Sequence, residues 1–90
     1  MDTTAAAQRF LAGVLLKDLN VPAEHLTDDA YLIADLALDS LAFTVIESSV
    51  VRLGVQVDAE EAAACVTFGD LVATLATALD ARDRRADRNE

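Results

Sequence analysis

A serine preceded by an aspartate stands where a long irregular stretch gives way to a helical pattern. Ser40 follows Asp39, and the apolar residues after it recur at helical spacing. A serine hydroxyl at a helix start lies beside free backbone N–H groups and the positive end of the helix dipole. That position suits a phosphodiester on the hydroxyl. Capping the helix is the other, commoner use of such a serine.

The other reactive side chains do not form a catalytic or metal-binding set. The chain has one histidine, His25, and one cysteine, Cys65, which excludes an internal disulfide and the usual zinc ligand sets. His25 is far along the chain from Ser40, so no catalytic triad can be assembled and a small hydrolase has little support. We interpret His25 as a surface residue and Cys65 as a small buried thiol.

The charge distribution indicates what kind of partner the chain can bind. The net charge is −9, and residues 1–81 alone hold three basic and thirteen acidic residues, a charge of −10, because four arginines fall after position 81. Nucleic acid and anionic membranes would be repelled, and a basic protein surface is the expected partner. Neither a secretion signal nor a membrane-length apolar run is present, so we expect a cytoplasmic protein.

Apolar spacing and capping residues predict four helices. One amphipathic helix covers residues 3–19, and a long, partly apolar loop that must pack against the helices covers residues 22–39. Asp39 or Ser40 can cap the second helix, which should end at Gly54. Asp58 and Thr67 can cap a short third helix and the last one. The predicted helices after the loop cover residues 41–53, 59–64 and 68–79.

No segment alternates long enough to predict a strand, so the expected fold class is all-α, a four-helix bundle with a long first loop and a short third helix. Residues 1–80 would form one domain. Residues 81–90 are charged and carry no large apolar side chain. We expect them to be a frayed helix extension or a disordered tail.

The segment from Asp35 to Leu41, with the sequence Asp-Leu-Ala-Leu-Asp-Ser-Leu, resembles the acyl carrier proteins, which carry Asp-Ser-Leu at the start of their second helix. The loop that precedes it, Gly54-Val55 after the second helix and Thr67-Phe68-Gly69-Asp70 at the last helix are also similar to that family. The resemblance covers residues 5–79 and is to the stand-alone, type II members.

The resemblance implies that Ser40 carries a covalent 4'-phosphopantetheine arm, attached by a separate phosphopantetheinyl transferase. The thiol of the arm would hold an acyl group as a thioester, and the chain itself would not be an enzyme. Asp39 and Asp35 would form an acidic neck that contacts the transferase, and Leu41 would be a contact residue.

The second helix departs from the family pattern. Ala37 stands where the family usually has glycine, and Glu47 is the only acid of the helix. Docking is therefore expected to depend on apolar contact at the face opposite Ile46 rather than on a row of carboxylates. The predicted partner-binding residues are Asp35, Asp39, Leu41, Thr44, Glu47, Ser48 and Val51.

Several functions stay open at the level of the sequence. The first is an acyl carrier for a type II polyketide, fatty-acid or related specialised pathway, working as a monomer with acyl-loading and synthase enzymes. The second is an aminoacyl or peptidyl carrier of a nonribosomal pathway. The third is an unmodified helical adaptor, in which Ser40 is only a helix cap.

Overall fold

Four α-helices build the part of the chain that the structure describes. A computed structural model describes the backbone of residues 2–88 and the side chains of residues 2–85. Within the described residues there is no β-strand, only an isolated antiparallel bridge between Tyr31 and Thr67. The predicted all-α class, with a long first loop and a short third helix, is confirmed. The helices are α1 (Thr3–Lys17), α2 (Ser40–Val50), α3 (Ala59–Ala63) and α4 (Phe68–Arg88).

Helix α1 is fixed by caps at both ends. The carboxylate of Asp2 accepts hydrogen bonds from the backbone N–H groups of Thr4 and Ala5. The helix ends at Lys17 instead of the predicted Leu19, because Asn20 adopts a left-handed conformation with φ of 58°. The N–H of Val21 then donates to the carbonyl of Leu15, which gives a donor to one carbonyl group of the last helical turn.

Helix α2 also ends before its predicted limit. After Val50 the chain tightens into a 3₁₀ turn, Val51–Leu53, and Gly54 closes it in the left-handed region with φ of 75°. A 3₁₀ turn satisfies carbonyl groups that the last turn of an α-helix leaves without donors. The predicted stop at Gly54 is confirmed, while the predicted α-helix to Leu53 is wrong in its last turn.

The long loop before α2 is packed and hydrogen-bonded, as its apolar content predicted. It contains a 3₁₀ turn, Ala23–His25, and its leucines at positions 32, 36 and 38 are buried. Its backbone is joined to the start of α4 by three hydrogen bonds. These bonds run from Leu32 N–H to the Val66 carbonyl, from Phe68 N–H to the Ala30 carbonyl and from Gly69 N–H to the Asp28 carbonyl.

The two predicted caps after α2 behave differently. Thr67 and Asp70 form a reciprocal pair, in which the Thr67 hydroxyl accepts from the Asp70 N–H and the Asp70 carboxylate accepts from the Thr67 N–H. Asp58 does precede α3, but its side chain makes no capping bond and instead accepts a hydrogen bond from the side-chain amide of Gln56.

Helix α4 continues to Arg88, through most of the segment predicted to be a frayed or disordered tail. Positions 89 and 90 of that segment lie outside the described residues. Arg82 donates to the carbonyl of Leu53 at 2.6 Å and pairs with Asp83, so the extension is joined to the end of the 3₁₀ turn after α2. The division into a domain of residues 1–80 and a tail stays a prediction.

The core lies between α1 and α4 and between α2 and α3, the two pairs of helices with the most extensive contact. Cys65 is half-buried rather than buried as predicted. Among residues 2–88, no helix is long and apolar enough to cross a membrane. The bulkiest fully buried side chains are Leu11, Leu15, Leu32, Ile46, Val50, Val57, Phe68, Leu71 and Leu75.

Candidate functional site

Ser40 is the first residue of α2, and its side chain is exposed. Asp39, which precedes it, is the cap. Its backbone is extended, and its carboxylate accepts a hydrogen bond from the N–H of Ala42 at 2.9 Å. Since Asp39 does the capping, the hydroxyl of Ser40 is left available for other chemistry.

The start of α2 also presents free backbone donors. Within the described residues, the N–H groups of Ser40 and Leu41 have no hydrogen-bond acceptor, as expected for the first turn of a helix. Together with the helix dipole they favour negative charge beside the Ser40 hydroxyl. The hydroxyl of Thr44, one turn later, donates to the Ser40 carbonyl at 3.0 Å.

An open groove of about 480 Å³ begins at Ser40 and runs between α2 and α3. Asp39 and Thr44 contribute to its polar end. Apolar side chains line most of it, and the small side chains of Ala59 and Ala63, one turn apart on α3, leave it wide. Its remaining walls are formed by Ile33, Leu38, Phe43 and Glu60.

Asp35 does not lie with Asp39 and Ser40 around this groove. It lines a different cavity of about 540 Å³, formed by the first loop. Its carboxylate accepts a hydrogen bond from the backbone N–H of Tyr31 at 2.8 Å. This contact gives Asp35 a structural role in the loop that the sequence did not predict.

The outer face of α2 is exposed as the helical spacing predicted. Leu41 and Val51 are 71% and 60% exposed, so both side chains are accessible to a partner. Thr44 and Ser48 are exposed between them, and Glu47 is half-buried. The face is continuous along the helix, but Glu47, Ser48 and Val51 lie at the far end from Ser40 and line a separate groove.

Some residues beside Ser40 were not singled out from the sequence as site residues. Ile33 is 64% exposed and lines the Ser40 groove, but a loop has no periodicity that would distinguish an outward from an inward isoleucine. Ala59 and Ala63 carried a usable signal, because two alanines at a spacing of four place small side chains on one helix face.

Comparison with known proteins agrees with this geometry. A family model described as "Phosphopantetheine attachment site" matches residues 9–75. The acyl carrier protein MbtL of Mycolicibacterium paratuberculosis is 47% identical over 70 residues, which cover 73% of this chain and 75% of that protein. MbtL of Mycobacterium tuberculosis is 43% identical over 70 residues, which cover 73% and 80% of the two chains.

The chain belongs to the acyl carrier protein family. Members of this family bind 4'-phosphopantetheine covalently on a serine, and they are carriers rather than catalysts. This acyl carrier protein therefore tethers biosynthetic intermediates and interacts with a phosphopantetheinyl transferase and with synthases as a class. Among residues 2–85, no three His, Cys, Asp or Glu side chains form a group that could hold a metal ion.

The start of α2 fits the prosthetic group. A phosphodiester needs an exposed hydroxyl and nearby N–H donors, which Ser40 and Leu41 supply. The groove beside them offers apolar walls to a prosthetic group attached at the start of α2. When bound, the group supplies a thiol that holds cargo as a thioester.

Proposed function

We propose that Ser40 is the residue of this acyl carrier protein that carries 4'-phosphopantetheine. The family requires a serine, and the chain has three, at positions 40, 48 and 49. Ser49 is buried, with 7% of its surface exposed, and Ser48 lies in the last turn of α2, away from the free N–H groups of the helix start. Ser40 alone combines an exposed side chain with the free donors of a helix start, and this combination carries the proposal.

The residues around Ser40 have distinct roles in this proposal. Asp39 holds the first turn of α2 in place through its bond to Ala42, which keeps the Ser40 hydroxyl at the surface. The N–H groups of Ser40 and Leu41 stabilise the negative charge of the phosphodiester. Asp39 also presents a carboxylate edge to basic groups of the transferase.

The cargo is proposed to be an acyl group. The relatives described above are named acyl carrier proteins, which favours this over the aminoacyl or peptidyl cargo of a nonribosomal carrier. A polyketide, fatty-acid or related specialised pathway would use such a carrier. The groove of about 480 Å³ between α2 and α3 provides apolar contact for a short acyl chain near Ser40.

Partner enzymes are proposed to dock on the exposed face of α2. Leu41 and Val51 offer apolar contact at its two ends, while Thr44 and Ser48 offer hydroxyls between them. Glu47 is the only carboxylate of α2, so the complementary surface of the partner would be less basic than for a carrier with an acid-rich α2. We further propose that the protein works as a monomer in the cytoplasm.

The attachment site is tested by intact-protein mass spectrometry after incubation with coenzyme A and a broad-specificity phosphopantetheinyl transferase. The wild type and Ser48→Ala should each gain the mass of one phosphopantetheine, and Ser40→Ala should gain none. Ser48→Ala is the matched control, because it removes an exposed hydroxyl from the same helix. Modification of Ser40→Ala would refute the assignment. A folded wild type that gains no mass would favour the unmodified adaptor.

A further inference from the structure

The basic residues of positions 1–81 line one groove. This part of the chain contains three of them, Arg9, Lys17 and Arg52. All three line a groove of about 310 Å³ between α1 and the 3₁₀ turn after α2. In residues 1–81, where acids outnumber bases by ten, this is the place where positive charge collects.

Arg52 is held over the groove by two contacts. Its guanidinium carbon lies 5.8 Å from the centre of the Phe10 ring, within the range of a cation–π contact. Its Nε donates to the carbonyl of Ser49 at 3.3 Å. Within the described residues its two terminal nitrogens have no partner, and they form a fork that matches a carboxylate.

Arg9 and Lys17 flank the groove on α1. They lie about two helical turns apart with Gly13 midway between them, and both are exposed. Within the described residues neither has a salt-bridge partner. Asp18 also lines the groove, which leaves the set with two net positive charges.

The floor of the groove is apolar. Half-buried Phe10 and buried Val14 contribute to it. A side chain on Gly13 would meet nothing within 4 Å, so the glycine keeps the groove open. An inorganic anion would make no use of such a floor, whereas a peptide that carries both an apolar side chain and carboxylates would use the floor and the basic rim.

We propose that this groove is a second docking site, which binds an acidic, apolar segment of a partner protein. Its charge is opposite to that of the rest of the carrier, so a partner with an acidic segment beside its basic docking surface could engage both. A second copy of the carrier is a poorer occupant, because two chains of charge −9 repel each other.

The second site would orient the partner protein on the carrier without blocking the phosphopantetheine arm. Ser40 and Arg52 are separated by α2 and its 3₁₀ turn, or about 18 Å at the rise of an α-helix. A partner could therefore hold the groove while the Ser40 end of α2 faces its active site. The inference does not depend on Ser40 as the attachment residue and can be tested on the unmodified protein.

The experiment is a titration of the ¹⁵N-labelled protein, followed by NMR, with a synthetic peptide that alternates leucine and glutamate. Saturable shifts should appear at Arg9, Gly13, Lys17 and Arg52 and should weaken with added salt. A peptide with lysine in place of glutamate should not bind. Arg9→Glu/Lys17→Glu should bind the acidic peptide roughly tenfold more weakly than the wild type.

Two further variants make the test specific. Arg84→Glu/Arg85→Glu produces the same change in net charge on exposed residues of α4 and should bind like the wild type. Gly13→Leu should fill the groove and abolish binding while the protein stays folded by circular dichroism.

The proposal is overturned by any of four results. The first is the absence of saturable shifts with the acidic peptide. The second is the same set of shifts with sodium acetate at equal carboxylate concentration, which would mean an adventitious ion only. The third is a set of shifts that maps to the Ser40 groove instead. The fourth is a dimer in sedimentation that Arg9→Glu/Lys17→Glu abolishes, which would make the groove a contact between copies.

Discussion

Asp35 and Tyr31 are joined by two hydrogen bonds in opposite directions. The Asp35 carboxylate accepts from the Tyr31 N–H at 2.8 Å, and the Asp35 N–H donates to the Tyr31 carbonyl at 2.9 Å. Together they close the turn that precedes α2. The carboxylate that was predicted to contact the transferase therefore has a defined role inside the carrier itself.

Asp35→Ala should destabilise the protein by about 1 kcal/mol, because the Tyr31 N–H loses its acceptor. Asp35→Asn keeps an oxygen acceptor and should cost much less. Urea denaturation measures both changes.

Asp35→Asn also tests the predicted contact with the transferase, since it removes the charge of the side chain and keeps its shape. If Asp35→Asn loads phosphopantetheine at the wild-type rate, the predicted electrostatic contact is wrong and Asp35 acts on the loop alone.

Ala37 occupies a backbone conformation that favours glycine, with φ of 56°. The left-handed region costs a residue with a Cβ about 1–2 kcal/mol, and glycine avoids that cost but has more freedom in the unfolded chain. Ala37→Gly should therefore stabilise the protein by about 0.5–1 kcal/mol.

Ala34→Gly is the matched control for Ala37→Gly, because Ala34 is exposed in the same turn and does not have a positive φ. Ala34→Gly should lower the free energy of unfolding by about 0.5–1 kcal/mol. The midpoints of thermal or urea unfolding of the two variants should therefore shift in opposite directions. If both lose stability, Ala37 is not strained in solution.

The sequence predicted the helices and the place of Ser40 well, because apolar spacing and an Asp-Ser pair at a helix start are local signals. It did not predict contacts set by the folded loop. The bond from Asp35 to Tyr31 and the left-handed Ala37 depend on where leucines 32, 36 and 38 are buried. The cap at Asp58 was wrong in detail because Gln56 competes for its carboxylate.

Gly69 is needed because the first loop passes very close to the start of α4. A Cβ at this position would lie 2.9 Å from the carbonyl oxygen of Asp28, which also accepts a hydrogen bond from the Gly69 N–H. Gly69→Ala should destabilise the protein by about 1–3 kcal/mol, since backbone must move to relieve the contact.

Gly13→Ala provides the comparison for Gly69→Ala, because a Cβ there meets nothing within 4 Å. It should stabilise α1 by about 0.5–1 kcal/mol through the reduced freedom of the unfolded chain. The midpoint of urea unfolding measures both. Equal effects at the two glycines would show that the close approach to Asp28 is absent in solution.

The extension of α4 is expected to contribute to stability through Arg82. Arg82→Met removes the hydrogen bond to the Leu53 carbonyl and the pair with Asp83, and should cost about 1 kcal/mol. Arg84→Met, at an exposed position of the same helix, should change stability little.

A chain that ends at residue 80 should still fold, with a loss of stability similar to that of Arg82→Met. This result is expected if residues 1–80 form the domain, and failure to fold would refute that division.

The exposed apolar residues of α2 give the last prediction. Leu41→Ala and Val51→Ala remove apolar surface from opposite ends of the proposed docking face, and neither side chain contributes to the core. Each should leave the unfolding free energy nearly unchanged but lower the kcat/KM of a partner enzyme by about tenfold or less, as for the loss of a moderate interface contact. The readout is turnover of the loaded carrier by its synthase.

Glu47→Gln separates apolar docking from electrostatic docking, because it removes the only carboxylate of α2 at constant shape. If contact is mainly apolar, Glu47→Gln should lower kcat/KM less than Leu41→Ala does, and the partner reaction should depend weakly on salt. Full turnover in both alanine variants together with strong salt dependence would reverse this conclusion. Recognition would then rest on Glu47 if Glu47→Gln lowers kcat/KM, and on acidic residues outside α2 if it does not.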